Sequence, residues 1–167
     1  MPIKNPKELF VRLLSHVRNG TERSAAIYKE LSEAAQNPEI QEALAARAFV
    51  SRQDLEKLDE AFKMIGEKPV NVTGPLHDVF VEDFRRELAE IQSPEAKRIF
   101  VLAKANHLSQ MRTAEYVTLV AASDVSGNYG VGVLLESCLA DHMAFSERAK
   151  RLIRRVVEAK VAARAAG

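Results

Sequence analysis

Small polar, basic and histidine residues interrupt four otherwise apolar helical faces of this chain, and they are its best-placed candidates for chemistry. Thr21 and Ser24 mark the first face, Arg47 and Ser51 the second, His107 the third, and His142 and Ser146 the fourth. Counted outward from the turns that join the segments, these positions fall within about one helical turn of a common level, where helical bundles place metals and cofactors. Thr21 is expected to face the neighbourhood of Arg52, and His107 to lie opposite His142 or Met143 with Gln110 nearby.

Two chemistries compete for this layer. Two histidines on facing stripes suit a transition metal, with Asp54 or Glu115 contributed from the stripe edges. Alternatively, His107 and His142 are hydrogen-bonded core histidines beside Ser51, Ser146 and Gln110. The second reading is preferred, because a carboxylate-bridged metal pair needs several inward-facing acids and none occupies the centre of these faces. The Glu-x-x-His signature of such sites is also missing. The residues three before His16, His77, His107 and His142 are Leu13, Gly74, Lys104 and Leu139. The layer is therefore expected to hold no catalytic residue and no cofactor, iron or manganese being the alternative.

Other motifs carry less. Gly130-Val131-Gly132 follows no strand, so it does not make a nucleotide-binding loop. Cys138 lies on the apolar stripe of the last helix and reads as a small buried hydrophobe. Tyr28 and Tyr116 are packing residues with a hydrogen-bond handle. The final helix is basic, with Arg148, Lys150, Arg151, Arg154, Arg155, Lys160 and Arg164, and reads as a solvated or dimer-rim face. No aromatic interleaves these charges, which argues against nucleic acid. The acidic run Glu82, Asp83, Glu87 and Glu90 offers this helix a partner within or between subunits.

The elements that position these residues are helices. Asn5-Pro6-Lys7-Glu8 supplies a cap, a proline at the first helical position and an acid in the first turn. Phe10, Leu13, Leu14, Val17, Tyr28 and Leu31 then keep one helical phase to about residue 35, across Asn19-Gly20. Asn37-Pro38-Glu39 starts a second helix, with Ile40, Leu44, Ala48, Leu55, Leu58, Phe62 and Ile65 on its stripe and Gly66 as its stop. Residues 67–74 form a loop. Pro75 opens a shorter amphipathic helix with Leu76, Val79, Phe80, Phe84, Leu88 and Ile91 on one side. Ser93-Pro94-Glu95 starts a helix to about 123, and Ser126-Gly127-Asn128 turns the chain into a last helix that runs into the Ala-rich end. The short turns make two antiparallel hairpins. The stretch 67–93 is long enough to return along helices of about 45 Å, at about 1.5 Å per residue. The expected fold is thus all-α: a ferritin-like four-helix bundle of two hairpins joined by a long crossover that carries an extra short helix.

Bulk properties agree with one domain over 1–167. The 167 residues suffice for a sizeable core, and 47% hydrophobic with 28% charged residues is ordinary for a globular chain. A net charge of +1 gives no bias toward nucleic acid or membrane. A single cysteine excludes an internal disulfide and fits a reducing compartment. Lys4, Lys7, Glu8, Arg12 and Arg18 break any signal-peptide core, and no apolar run approaches the ~18 residues of a bilayer span. A cytoplasmic location is expected.

The chain also resembles the YciE/YciF family of ferritin-like bacterial proteins, a family of unknown function linked to stress responses. The resemblance is carried by Glu8-Leu9-Phe10 with Leu13-Leu14, by Leu55-Glu56-Lys57-Leu58, by Phe62 through Pro69, by Glu115-Tyr116-Val117-Thr118-Leu119 and by Leu134-Leu135-Glu136. Family members resemble di-iron carboxylate proteins. Carried over without gaps, their ligand positions fall on Thr21, on Phe49 and Arg52, on Ser109 and Arg112, and on His142 and Ser146, and none of these keeps its ligand. The resemblance therefore implies the fold and a link to stress responses, and the expected reading is a homodimer with a degenerate metal site and a structural or interaction role. Arg47 or Arg52 is expected to replace metal charge by pairing with Asp54 or another acid, since a buried arginine requires a counter-charge.

Overall fold

A computed structural model describes residues 3–72 and 74–165, with the side chains of 160 and 163–165 excepted. All regular secondary structure among these residues is helical: α1 (Pro6–Ala34), α2 (Pro38–Ile65), α3 (Leu76–Glu90), α4 (Pro94–Val125) and α5 (Tyr129–Ala165). Three of the starts use one device. The side chains of Asn5, Asn37 and Ser93 accept hydrogen bonds from the backbone N–H of Glu8, Ile40 and Ala96, and proline follows each cap. Gly66 ends α2 in the left-handed conformation (φ 68°), with its N–H on the carbonyl of Lys63 and the N–H of Glu67 on that of Phe62. Gln36 (φ 51°) makes the sharp reversal between α1 and α2, and Gly127 (φ 74°) the one between α4 and α5. Asn19-Gly20 leaves α1 unbroken.

The contacts fix the directions of packing. Arg18 on Asp59 and Lys7 on Glu67 run α1 against α2, while Ser109 and Ser146 meet between α4 and α5. The α1 helix also packs on α4, with Thr21 at Tyr116, and α2 on α5, with Glu39 at Arg155. Two apolar clusters result. One gathers Ile27, Tyr28, Leu31, Leu44, Leu102, Leu108, Phe145 and Leu152 toward one end of the bundle. The other gathers Phe10, Leu14, Val17, Leu58, Phe62, Leu119, Leu135 and Cys138 toward the opposite end. The polar residues described below separate them.

The short helix buries most of the face its apolar spacing suggests, with Phe84 buried and Phe80 and Leu88 packed against the core, but leaves Leu76 and Val79 of its first turn outside. His77 and Phe84 of α3 are buried, whereas Leu76 and Val79 are 55% and 57% exposed. The reason is docking: α3 lies across α1 and α4, with Phe84 stacked on Phe100 at 6.0 Å. Its polar side is tied down by Arg23 to Asp78 (2.6 Å), Arg85 to Glu30 (2.7 Å) and Lys104 to both Asp83 (2.8 Å) and Glu87 (2.9 Å). Within the described residues, Asp83 and Glu87 of the acidic run pair with Lys104, and Asp83 also with Arg86. At the basic end of α5, Arg155 pairs with Glu39 and Lys150 with Glu147.

Candidate functional site

The polar layer is assembled from single helical turns of four helices. Hydroxyls in helix interiors bond back to the carbonyl four residues earlier, and Thr21 does so to Val17 (2.9 Å) and Ser24 to Gly20 (2.7 Å). This leaves the Thr21 oxygen as an acceptor facing inward. Arg112 of α4 donates to it through Nη2 (2.5 Å) and to the Val17 carbonyl (2.6 Å), while Nη1 meets Glu115. The Tyr116 hydroxyl lies 3.1 Å from the same threonine oxygen. Arg112 is wholly buried, and its guanidinium fits because Gly20 has no side chain. A Cβ built there would lie 2.1 Å from Nη1.

A second arginine organises the other half. Nη2 of Arg47 donates to Asp54 Oδ2 at 3.0 Å and to His142 Nε2 at 2.8 Å, and the carboxylate and imidazole atoms are themselves 3.9 Å apart. All three side chains are buried. Lys57, at the edge of the layer, approaches Asp54 (3.4 Å) and Asp141 (3.2 Å). Ser146 donates to Ser109, which donates to the His142 carbonyl (3.0 Å), linking α4 to α5. The Arg47 guanidinium stands 5.7 Å from the centroid of the Tyr28 ring, and Tyr116 tilts against the His142 ring at 5.2 Å.

These surroundings set the protonation states. Burial, then the charges of Arg47 and Arg112, pushes His142 down to about 2, so it is a neutral acceptor. Burial raises Asp54 and Glu115, opposed by Arg47 and Arg112 respectively. Burial also raises Tyr28 and Tyr116, and with the Asp54 charge it lifts the Cys138 thiol to about 12. On α3, His77 is lowered to about 4 by burial and by the nearby arginines Arg112 and Arg23.

Not every residue expected in the layer is there. Thr21, Ser24, Arg47, Ser51, His142 and Ser146 are all buried at this level. His107 and Gln110 are exposed, because the inward stripe of α4 runs through Ala105, Leu108, Ser109, Arg112 and Tyr116. The His107 ring meets only Phe80 of α3 edge-on at 5.8 Å among aromatic partners, and does not approach His142. Arg52 is exposed too, its guanidinium over the outward Phe49 ring. Conversely Asp54, taken from the sequence as a stripe-edge residue, is fully buried at the centre. Arg112 and Ser109 form the α4 part of the layer. Their four-residue spacing from Ala105, Leu108 and Tyr116 is the signal that places them inward.

This donor set does not fit a carboxylate-bridged metal pair. Asp54 and His142, 3.9 Å apart, already share the Arg47 cation. Among the described residues no group of three or more His, Cys, Asp or Glu side chains converges as a metal ion would need.

Comparison with known proteins agrees with this architecture. YcfI of Rhodopseudomonas palustris, a proposed structural protein, superposes with a TM-score of 0.84 at 21% identity, over 89% of this chain and 94% of that one. The Escherichia coli stress protein YciF superposes with a TM-score of 0.88 at 18% identity, over 93% and 99%. A protein of Xanthomonas campestris pv. campestris gives 0.72 at 16% identity, over 95% of each chain. No curated protein matches the sequence. Among the described residues no helix is long and apolar enough to cross a membrane. Residues 5–162 match the family model of a domain of unknown function, DUF892. The chain belongs to that family, and the helical bundle with its YciF-like neighbours is the form the family takes here.

Proposed function

We propose that this chain is a ferritin-like bundle in which arginine–carboxylate pairing takes the place of a di-metal centre. It serves as a stress-associated structural or interaction protein, a cytoplasmic homodimer rather than an enzyme. The observation that carries the reading is the position of Arg47 Nη2, 3.0 Å from Asp54 and 2.8 Å from His142, where a cation would have to bind. A fixed guanidinium supplies one positive charge with directed hydrogen bonds and has no vacant coordination position, so it offers structure without Lewis acidity or redox chemistry. The resemblance in fold to the stress protein YciF and to YcfI supports a role of the same kind.

Metal analysis of protein purified without an affinity tag tests the proposal. Well under one equivalent of iron or manganese is expected after growth with either metal in excess. Stoichiometric metal that disappears on Asp54→Ala or His142→Ala substitution would overturn it. Light scattering on the eluting protein tests the dimer, and a monomer at micromolar concentration would remove that part.

A further inference from the structure

The first turn of α3 is joined to the bundle by few groups, and one of them is a buried histidine. The α3 helix starts at Pro75 with no side-chain hydrogen bond to its free N–H groups, whereas α1, α2 and α4 are capped. Leu76, Asp78 and Val79 are exposed, so of residues 76–79 only His77 is buried. The Arg23–Asp78 pair (2.6 Å) reinforces it from the solvent side. The firmer docking comes later in the helix, through Phe84 on Phe100 and through Lys104 on Asp83 and Glu87.

His77 sits where a positive charge is poorly tolerated. Its Cε1 and Nη1 of Arg112 converge over Gly20, where a Cβ would lie 3.0 Å from the first and 2.1 Å from the second. From α1, Arg23 adds a second charge against it, and the uncapped start of its own helix adds a partial one. Two acids oppose these cations: Asp78, bound to Arg23, and Glu115, bound to Arg112. Nε2 of His77 is buried with no partner among the described residues, so the charged ring would carry an N–H without an acceptor. Burial, then Arg112 and Arg23, hold the ring neutral down to about 4.

We propose that α3 is an acid-released latch: protonation of His77 swings its first turn off Gly20 and Arg112, while Phe84 and the later ion pairs keep the rest of the helix docked. A third cation beside two arginines is relieved by water, and the first turn has no other buried side chain to hold it back. Opening uncovers the Arg112 edge of the polar layer. Glu115 acts in the same direction, because burial favours its neutral form and leaves Arg112 less compensated as the pH falls. Outside, the ring regains its ordinary value of 6.5, so the open form gains population between there and about 4. The ratio of open to closed rises roughly twentyfold from pH 7 to pH 5, the open form remaining the minor one.

Hydrogen exchange of the full chain, corrected for the intrinsic rate at each pH, reads this opening. The Val79 amide, which donates to the Pro75 carbonyl (2.8 Å), and the amides of Phe80 and Val81 report the first turn. They are expected to open about twentyfold more often at pH 5 than at pH 7, and at both values to exchange faster than residues 84–90 and α4. The His77→Gln protein is expected to lose the rise. The His77→Lys protein, charged throughout this range, is expected to show the acid level of opening already at pH 7. First-turn exchange independent of pH would overturn the proposal, as would a rise that survives His77→Gln or a His77→Lys turn as protected at pH 7 as the wild type. Exchange of the first turn in step with residues 84–90 and α4 at pH 5 would also overturn it, since the bundle would then open as a whole. None of these outcomes bears on metal content, by which the arginine-held layer is judged.

Discussion

Gly20 and Arg112 are a matched pair: the guanidinium of one occupies the volume a side chain on the other would need. A Cβ at Gly20 falls 2.1 Å from Nη1 and 3.1 Å from Cζ of Arg112, and 3.0 Å from the His77 ring. Glycine inside a helix costs about 1 kcal/mol relative to alanine, so propensity alone favours Gly20→Ala. Arg112 cannot yield without leaving the Val17 carbonyl, Thr21 and Glu115. We expect Gly20→Ala to destabilise the fold by about 1–3 kcal/mol, the range for a broken buried polar network. In an Arg112→Met background the same change should be neutral or stabilising. Urea denaturation of the four proteins measures this coupling, and additive effects would refute the pairing.

Arg47 and Asp54 should couple in the same way, though for an electrostatic reason. Removing either partner leaves a charge in the layer, at a cost of about 3–5 kcal/mol for a fully buried pair. Lys57, 3.4 Å from Asp54, offsets part of that for Arg47→Met. Asp54→Leu leaves Arg47 with no carboxylate partner and should be the more damaging single change. The double variant is expected to be less destabilised than the sum of the two. A double variant as unstable as that sum would show that the pair contributes nothing specific.

The contrast between what could and could not be read from the chain has a physical basis. The helix starts were legible because Asn-Pro and Ser-Pro carry their own capping chemistry, and the Gly66 stop carries its own backbone geometry. Position around a helix was less legible, since one residue turns the face by about 100°. His107 and Ser109 are two residues apart and point opposite ways, toward Phe80 and toward His142. Histidine attracts attention as a ligand, whereas Arg112 on an apolar stripe resembles a solvated residue until Gly20 is seen opposite it. Leu76 and Val79 mark the limit for α3: they stay outside while Phe80, Phe84 and Leu88 of the same stripe dock and ion pairs to α1 and α4 hold its edges.

Cys138 is expected to be inert in the folded protein. Its side chain is wholly buried, and burial with the nearby Asp54 charge raises the thiol to about 12, so almost no thiolate exists at neutral pH. A thiol-specific chromogenic reagent should therefore read no reactive group at pH 8 under native conditions and one per chain in denaturant. Rapid native reaction would mean that α5 opens on the timescale of the assay.

Acid should weaken the fold through two histidines. His142 and His77 are held neutral in the folded state, down to about 2 and about 4, against an ordinary value of 6.5. Between 6.5 and those values the unfolded chain binds protons that the folded chain does not. Stability is thus complete above about 6.5 and declines as pH falls, by at most about 1.4 kcal/mol per unit for each histidine. Asp54 and Glu115 act in the opposite sense, because their folded-state values are raised and their contribution improves as they protonate. Their proton uptake lies above the ordinary values of 3.8 and 4.5 and offsets part of the histidine loss, so the histidine variants isolate the histidine share. Denaturant midpoints at pH 7, 6 and 5 should fall in order. His77→Gln, on the rim of the layer beside Gly20, should reduce the slope by about one proton at pH 5, and His142→Gln should do the same if the fold tolerates the change. A wild-type profile flat from pH 7 to 5 would show that the histidines can reach solvent and charge without unfolding the layer.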